Sequence, residues 1–191
     1  MAPPGGETRI LSVIFVDIRG FTALAEQLQP ADVAAQLNRF YELASKAIFR
    51  HDGTLDKLVG DQVMGFFGAP IGRGDHAQRA VATAREIMRE NMATASVDRL
   101  GIGIGIATGE AFVGNVGGGE VTDYTVLGHM VNVAARLQGE AVSGEILIAE
   151  ETYAHVASQF PYATRYEFVL KGKSEPVIAW EIAGNSPPRL A

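Results

Sequence analysis

The sequence predicts an α+β fold: a ferredoxin-like βαββαβ core with extra C-terminal strands and helices, in which helices pack on a mainly antiparallel sheet. Three observations carry that prediction. Residues 10–16 are apolar almost without alternation, as in a strand covered on both faces. Apolar side chains recur at three- or four-residue steps through residues 30–50 and again through residues 75–92, which makes two long amphipathic helices. Between and after them, short β-prone segments come in neighbouring pairs around turn residues, the pattern of antiparallel hairpins. The order strand, long helix, hairpin, helix, strand pair, helix, strands sets the helices on one side of the sheet.

Each element has its own signal. The first strand stops at Asp17. Pro30 opens the long helix, whose apolar face is Val33, Leu37, Phe40, Ala44 and Ile48. Residues 54–58 and 62–67 are two arms around Val59, Gly60 and Asp61, and a Gly-Asp pair there signals a hairpin. Ala77, Ala80, Val81, Ala84 and Ile87 share a face of the next helix. Residues 100–107 and 110–116 read as two strands flanking a turn at Thr108 and Gly109, with the glycine triplet at 117–119 breaking the second. A strand is expected at 122–127, a helix at 129–137, a strand at 146–149, a short helix at 150–156 and a closing β pair at 168–170 and 177–182.

The bulk numbers bound the function. With 191 residues, 47% hydrophobic and 20% charged, the chain is a globular domain, expected over residues 9–183 between flexible ends at 1–8 and 184–191. A net charge of −6 and a pI near 5.2 argue against nucleic acid as partner, since phosphate neutralisation needs a basic surface. No cysteine is present, so neither disulfides nor a thiolate metal site enter; this leaves the compartment open and favours a reducing cytoplasm, where a longer parent protein could be membrane-anchored. His51, His76, His129 and His155 lack ligand spacing. No apolar run approaches the roughly 20 residues that span a bilayer, so no direct membrane insertion of this segment is expected.

Several residues invite chemistry, and each has a bland reading beside it. A carboxylate that closes an apolar strand, as Asp17 does, is ordinarily solvated or a helix cap, and Asp61 at a hairpin tip is an ordinary turn aspartate. Taken jointly they say more. If the hairpin pairs beside the first strand, the two carboxylates face one pocket, and like charges that close call for hard cations such as magnesium or manganese. Asn132 and Arg136 are four residues apart and share a helix face, which by itself reads as a face turned to water. The alternating Gly101, Gly103 and Gly105 are followed by no lysine-serine or lysine-threonine pair, so they are no phosphate loop; they fit close approach of backbone or helix.

Three segments in order, Phe15-Val16-Asp17-Ile18-Arg19-Gly20-Phe21-Thr22, Lys57-Leu58-Val59-Gly60-Asp61, and Asp123-Tyr124-Thr125-Val126-Leu127-Gly128 leading into Val131-Asn132-Val133-Ala134-Ala135-Arg136-Leu137, resemble the class III adenylyl/guanylyl cyclase family. The resemblance covers roughly residues 9–182. It implies that Asp17 and Asp61 hold two divalent cations, Mg2+ or Mn2+, for in-line attack of a ribose 3′ hydroxyl on the α-phosphorus of ATP, giving 3′,5′-cyclic AMP and pyrophosphate. It assigns Lys57 and Thr125 to the base, Asn132 to the ribose, Arg136 to the phosphates, and Lys171, with Lys173 as the alternative register, to the triphosphate. Adenine offers an acceptor at N1 and a donor at N6, which an ammonium and a hydroxyl complement, whereas guanylyl relatives carry an acidic residue at the position of Lys57. Some relatives have an arginine near Gly103 that helps bind pyrophosphate; its absence shifts that charge to Lys171 and Arg136. His129 stands where many relatives have aspartate and is expected at the rim of the site.

The resemblance also implies a homodimer with shared sites, Asp17 and Asp61 of one subunit facing Lys57, Thr125, Asn132, Arg136 and Lys171 of the other. A regulatory domain in a longer parent protein follows as a further expectation. The rivals are a non-catalytic cyclase-like module, a guanylyl cyclase, and a phosphate-accepting domain using Asp17. The last needs alternating parallel strands and helices, which the hairpins contradict. A diguanylate cyclase needs a glycine-glycine-acidic loop that is missing.

Overall fold

The computed structural model describes residues 5–95, 99–118, 121–169 and 176–182. Its elements run β1 (Glu7–Ile18), α1 (Phe21–Gln27), α2 (Pro30–Arg50), β2 (Thr54–Val59), β3 (Gln62–Phe67), α3 (His76–Ala93), β4 (Ile102–Gly118), β5 (Val121–Leu127), α4 (His129–Glu140), β6 (Ile146–Ala149), α5 (Glu150–Val156), a short 3-10 turn, β7 (Thr164–Phe168) and β8 (Val177–Glu181). The strands form one sheet in the order β2-β3-β1-β4-β6-β8-β7, with β5 also paired to β4. Only β4 and β6 run parallel among these pairs. The first four positions of that order are the ferredoxin-like core, and the last three strands are its C-terminal extension.

Strand β1 is central because its side chains can be buried on both sides. Ile14, Val16 and Ile18 pack with Phe40, Ala44 and Ile48 of α2 and Ala84 and Ile87 of α3. Leu11, Val13 and Phe15 pack on the other face with Met130, Val133, Ala134 and Leu137 of α4. Each fully buried side chain of this size contributes about 1.5–3 kcal/mol. The sheet is therefore covered on both faces, which corrects the expectation of helices on one side. The physical reason is the period of two: alternate side chains of an all-apolar strand need two partners, and α4 supplies the second.

Other differences are local. Thr108 and Gly109 do not turn. They continue β4 as one strand, opposite Ser12 and Leu11 of β1. A Thr-Gly pair signals a turn only when no neighbouring strand claims its backbone bonds, and β1 claims them. Strand β1 itself begins at Glu7, inside the stretch expected to be flexible, because Glu7 and Thr8 pair with Val113 and Phe112. Helix α1 was not anticipated: it starts straight after Gly20, whose φ of 70° turns the chain off β1. Strand β7 lies at Thr164–Phe168, earlier than residues 168–170.

The alternating glycines do admit a helix. A Cβ on Gly105 would run into the backbone of Ala134 and Gln138, so α4 lies directly against β4 there. That contact sets the height of α4 above the end of β1, where the polar residues collect.

Candidate active site

Asp17 sits at the end of β1, opposite Gln62, the first residue of β3. The hairpin tip folds back so that the Ile18 amide donates to the Asp61 carbonyl at 3.1 Å. Gly60 makes the turn with a φ of 58°, and the Tyr41 hydroxyl of α2 donates to its carbonyl, fixing the tip. The strand order assumed from the sequence thus holds, and the two aspartates are neighbours.

The Asp17 carboxylate is only partly exposed and is held from two sides. Arg19 Nη2 lies 3.0 Å from Oδ2, and Gln138 Nε2 of α4 donates to the same oxygen at 3.0 Å. Gln138 in turn accepts from Gln62 Nε2 at 2.8 Å, and its backbone carbonyl accepts from Arg19 at 2.9 Å. Burial pushes the Asp17 carboxyl above the usual carboxylate range, with the Asp61 charge adding to it; Arg19 and Gln138 oppose the shift without cancelling it. A half-buried carboxylate with a second one beside it demands cationic company. Two carboxylates are a small donor set, which suits Mg2+ or Mn2+ when substrate phosphates complete the coordination. Among the described residues no group of three or more His, Cys, Asp or Glu could hold a metal by itself.

Arg19 also fills the space over Gly103. A Cβ on Gly103 would lie 2.6 Å from Arg19 Nε. The bare glycine thus leaves room for a guanidinium arriving from the end of β1 rather than one projecting from β4. Neither Arg19 nor Gln138 was singled out from the sequence. Arg19 lies inside the first family-like segment with no role implied for it, and Gln138 is an ordinary helix residue until α4 is placed against β1.

The second cluster lies at the far side of the β2–β3 hairpin. Lys57 Nζ is 3.3 Å from Asp123 Oδ2 and 3.2 Å from Asp56 Oδ1. Burial works against the charge of Lys57, but the two carboxylates outweigh it and raise its pKa. Thr125, 6% exposed, donates its hydroxyl to Asp56 Oδ2 at 2.6 Å. Lys57, Asp56, Leu58, Val59, Asp123 and Tyr124 line a cavity of about 440 Å3. Asp17, Asp61, Asn132 and Arg136 do not line that cavity, and Thr125 reaches it only through its bond to Asp56.

Asn132 is exposed and Arg136 half-buried on α4, beside the buried stripe of Met130, Val133, Ala134 and Leu137. They share a face, as their spacing required. His129 is exposed and borders a different cavity, with Glu110, Glu150 and Glu151. Lys171 and Lys173 lie outside the described residues. The chain therefore presents two separate polar clusters: an acidic pair at the end of β1, and a lysine-threonine pair on β2 and β5.

Comparison with known proteins agrees with this fold. Residues 6–184 match the family model of the adenylate and guanylate cyclase catalytic domain. An uncharacterized protein of Mycobacterium tuberculosis (strain ATCC 25618 / H37Rv) is 34% identical over 189 residues, covering 97% of this chain and 35% of that protein. This chain thus spans about a third of such relatives. Among solved structures, the guanylyl cyclase Cya2 superposes with a TM-score of 0.87 at 34% identity, with 97% of each chain covered. The adenylyl cyclase CyaB from P. aeruginosa superposes with a TM-score of 0.79 at 35% identity, covering 97% of this chain and 100% of that one. Identity so nearly equal to a cyclase of each kind leaves the choice of base to the residues of the site. The match along almost its whole length, together with the shared fold, makes this chain a member of the adenylate and guanylate cyclase catalytic domain family.

Proposed function

We propose that the chain is an adenylyl cyclase domain that converts ATP to 3′,5′-cyclic AMP and pyrophosphate as a homodimer. The observation that carries this reading is the pair held by the buried Asp56 side chain: a charged, partly exposed donor, Lys57, and a buried hydroxyl, Thr125, that donates its proton to the carboxylate. A donor beside an acceptor complements N1 and N6 of adenine and opposes N1–H and O6 of guanine.

Asp17 and Asp61 would hold two divalent cations, magnesium or manganese, whose chemistry is to neutralise phosphate charge and to acidify the ribose 3′ hydroxyl. Arg136 would bear on the phosphates through its planar guanidinium, and Asn132 would orient the ribose so that the hydroxyl lies in line with the leaving group. Lys171 would add charge at the triphosphate. Neither aspartate lines the Lys57 cavity, which supports a complete site that takes its acidic pair from a second copy. Leu58 and Val59, 43% and 62% exposed beside Lys57, are the apolar surface such a copy would cover.

The test incubates the purified 191-residue chain with ATP or GTP and manganese or magnesium, and identifies the cyclic product by mass spectrometry. Cyclic AMP as the main product supports the reading. Cyclic GMP as the main product overturns the choice of base, and nucleotide binding without any product overturns catalysis. Mixing D17A with N132A chains tests the shared site, since one of the two hybrid sites would be intact. Mixed dimers that stay inactive would refute it.

A further inference from the structure

Asp56 is assigned no contact with the nucleotide above, yet its position is unusual. Leu55 is paired with Gly65 and Lys57 with Met64, so Asp56 is an extra residue with no partner on β3. In a regular strand Asp56 and Lys57 would point to opposite faces. The β-bulge instead turns both toward one cavity, a device common beside active sites.

The Asp56 side chain is 1% exposed. A carboxylate so buried costs several kcal/mol unless both oxygens are answered. Oδ2 is answered by the Thr125 hydroxyl at 2.6 Å, and Oδ1 only by the Lys57 ammonium at 3.2 Å, without an aligned hydrogen bond. One buried group therefore touches both residues proposed to read the base. We infer that Asp56 is the positioning residue that sets base specificity, by turning Thr125 into an obligate acceptor and holding Lys57 beside it. This inference rests on the adenine reading of the same site.

The chemistry follows from proton counting. A threonine hydroxyl has one proton and two lone pairs, so alone it can meet an amine or a carbonyl equally well. A carboxylate paired with an ammonium can only accept, so the Thr125 proton must point at Asp56. What Thr125 then shows a ligand is lone pairs. An exocyclic amine, as on adenine, is satisfied there; a carbonyl oxygen, as on guanine, would face acceptor with acceptor. Discrimination thus comes from the unexposed partner and not from threonine itself.

The experiment measures kcat and KM for ATP and for GTP with the wild-type chain, D56N, D56E, T125A and the D56N/T125A double variant, alongside thermal stability. The side-chain amide that D56N introduces can donate to the Thr125 oxygen and release its proton, so D56N should lower the ATP/GTP ratio of kcat/KM about tenfold, the worth of one hydrogen bond. The change should sit in KM for the two nucleotides more than in kcat. D56E, which keeps the charge, should keep most of the ratio, and D56N should change it less than about twofold once Thr125 is gone. If D56N does not fold, D56S, which can also donate a proton, replaces it. A wild type that prefers ATP with an unaltered ratio in D56N would overturn the role of Asp56 and leave the adenine reading standing. Equal loss on both nucleotides with a lower melting temperature would mark a structural role and likewise overturn it. A wild type that prefers GTP would overturn the adenine reading and this inference with it.

Discussion

Strands β1 and β4 carry two polar clusters, and they are built to opposite rules. Near the middle, Ser12 shares hydrogen bonds with His76 Nδ1 at 2.9 Å and Thr108 Oγ1 at 2.7 Å, and Thr152 donates to Thr108 at 3.0 Å. All four are buried, between 0% and 7% exposed, and each has a partner. At the end of the same strands, Asp17 is partly exposed, crowded by Asp61, and shares one oxygen between Arg19 and Gln138. A buried polar group that is fully satisfied fixes a fold; one left electrostatically short is ready for a ligand. The two clusters show both outcomes on one pair of strands.

The largest expected effect breaks the second cluster alone. D17A and D61A should each cut cyclase turnover by about a hundred- to a thousandfold while the melting temperature stays close to wild type, since neither carboxylate holds the core together. Turnover and differential scanning fluorimetry on the same preparations check this. The next effect should break both at once. G105A drives a methyl into the backbone of α4, which bears Asn132, Arg136 and Gln138, so it should cost about 1–3 kcal/mol and lower activity together. Urea unfolding beside turnover would separate it from the aspartate variants.

Breaking the first cluster should do the reverse of D17A. S12A leaves His76 and Thr108 short of a partner in a dry site, so stability should fall by about 1–3 kcal/mol with turnover per folded molecule unchanged. The smallest effect concerns pH. Burial, then the His155 and Arg79 charges, holds His76 below the usual histidine range, with Asp75 opposing. The unfolded chain then binds the proton more readily. The stability His76 contributes is full above about pH 6.5 and is lost as pH falls from there toward its lowered folded value. Urea midpoints from about pH 8 to about pH 5.5 should decline more steeply for wild type than for H76Q, and parallel slopes would show that another group is responsible.

Much of this was legible in the chain. The unbroken apolar run at 10–16 demanded cover on both faces, and the glycine alternation at 101–105 announced a close approach that proved to be α4 on β4. Gly60 and Asp61 marked the hairpin whose tip lies beside Asp17. The misread segment, Thr108-Gly109, failed for a tertiary reason: a local turn signal lost to twelve paired positions along β1. Gln138 and Asp56 left no signal, because a helix glutamine and a strand aspartate look solvated until their neighbours are known.

The sequence by itself determined most of the strands and helices, and it contained the two carboxylates, the lysine and the threonine of the two polar clusters. Side-chain period and turn chemistry are local, so they can be read along the chain. Only the tertiary structure decided that Asp17 would be crowded by Asp61, that Arg19 would lie over Gly103, and that a bulge would seat Asp56 between Lys57 and Thr125. Those facts depend on desolvation and on distances across strands, quantities that exist only once the chain has folded.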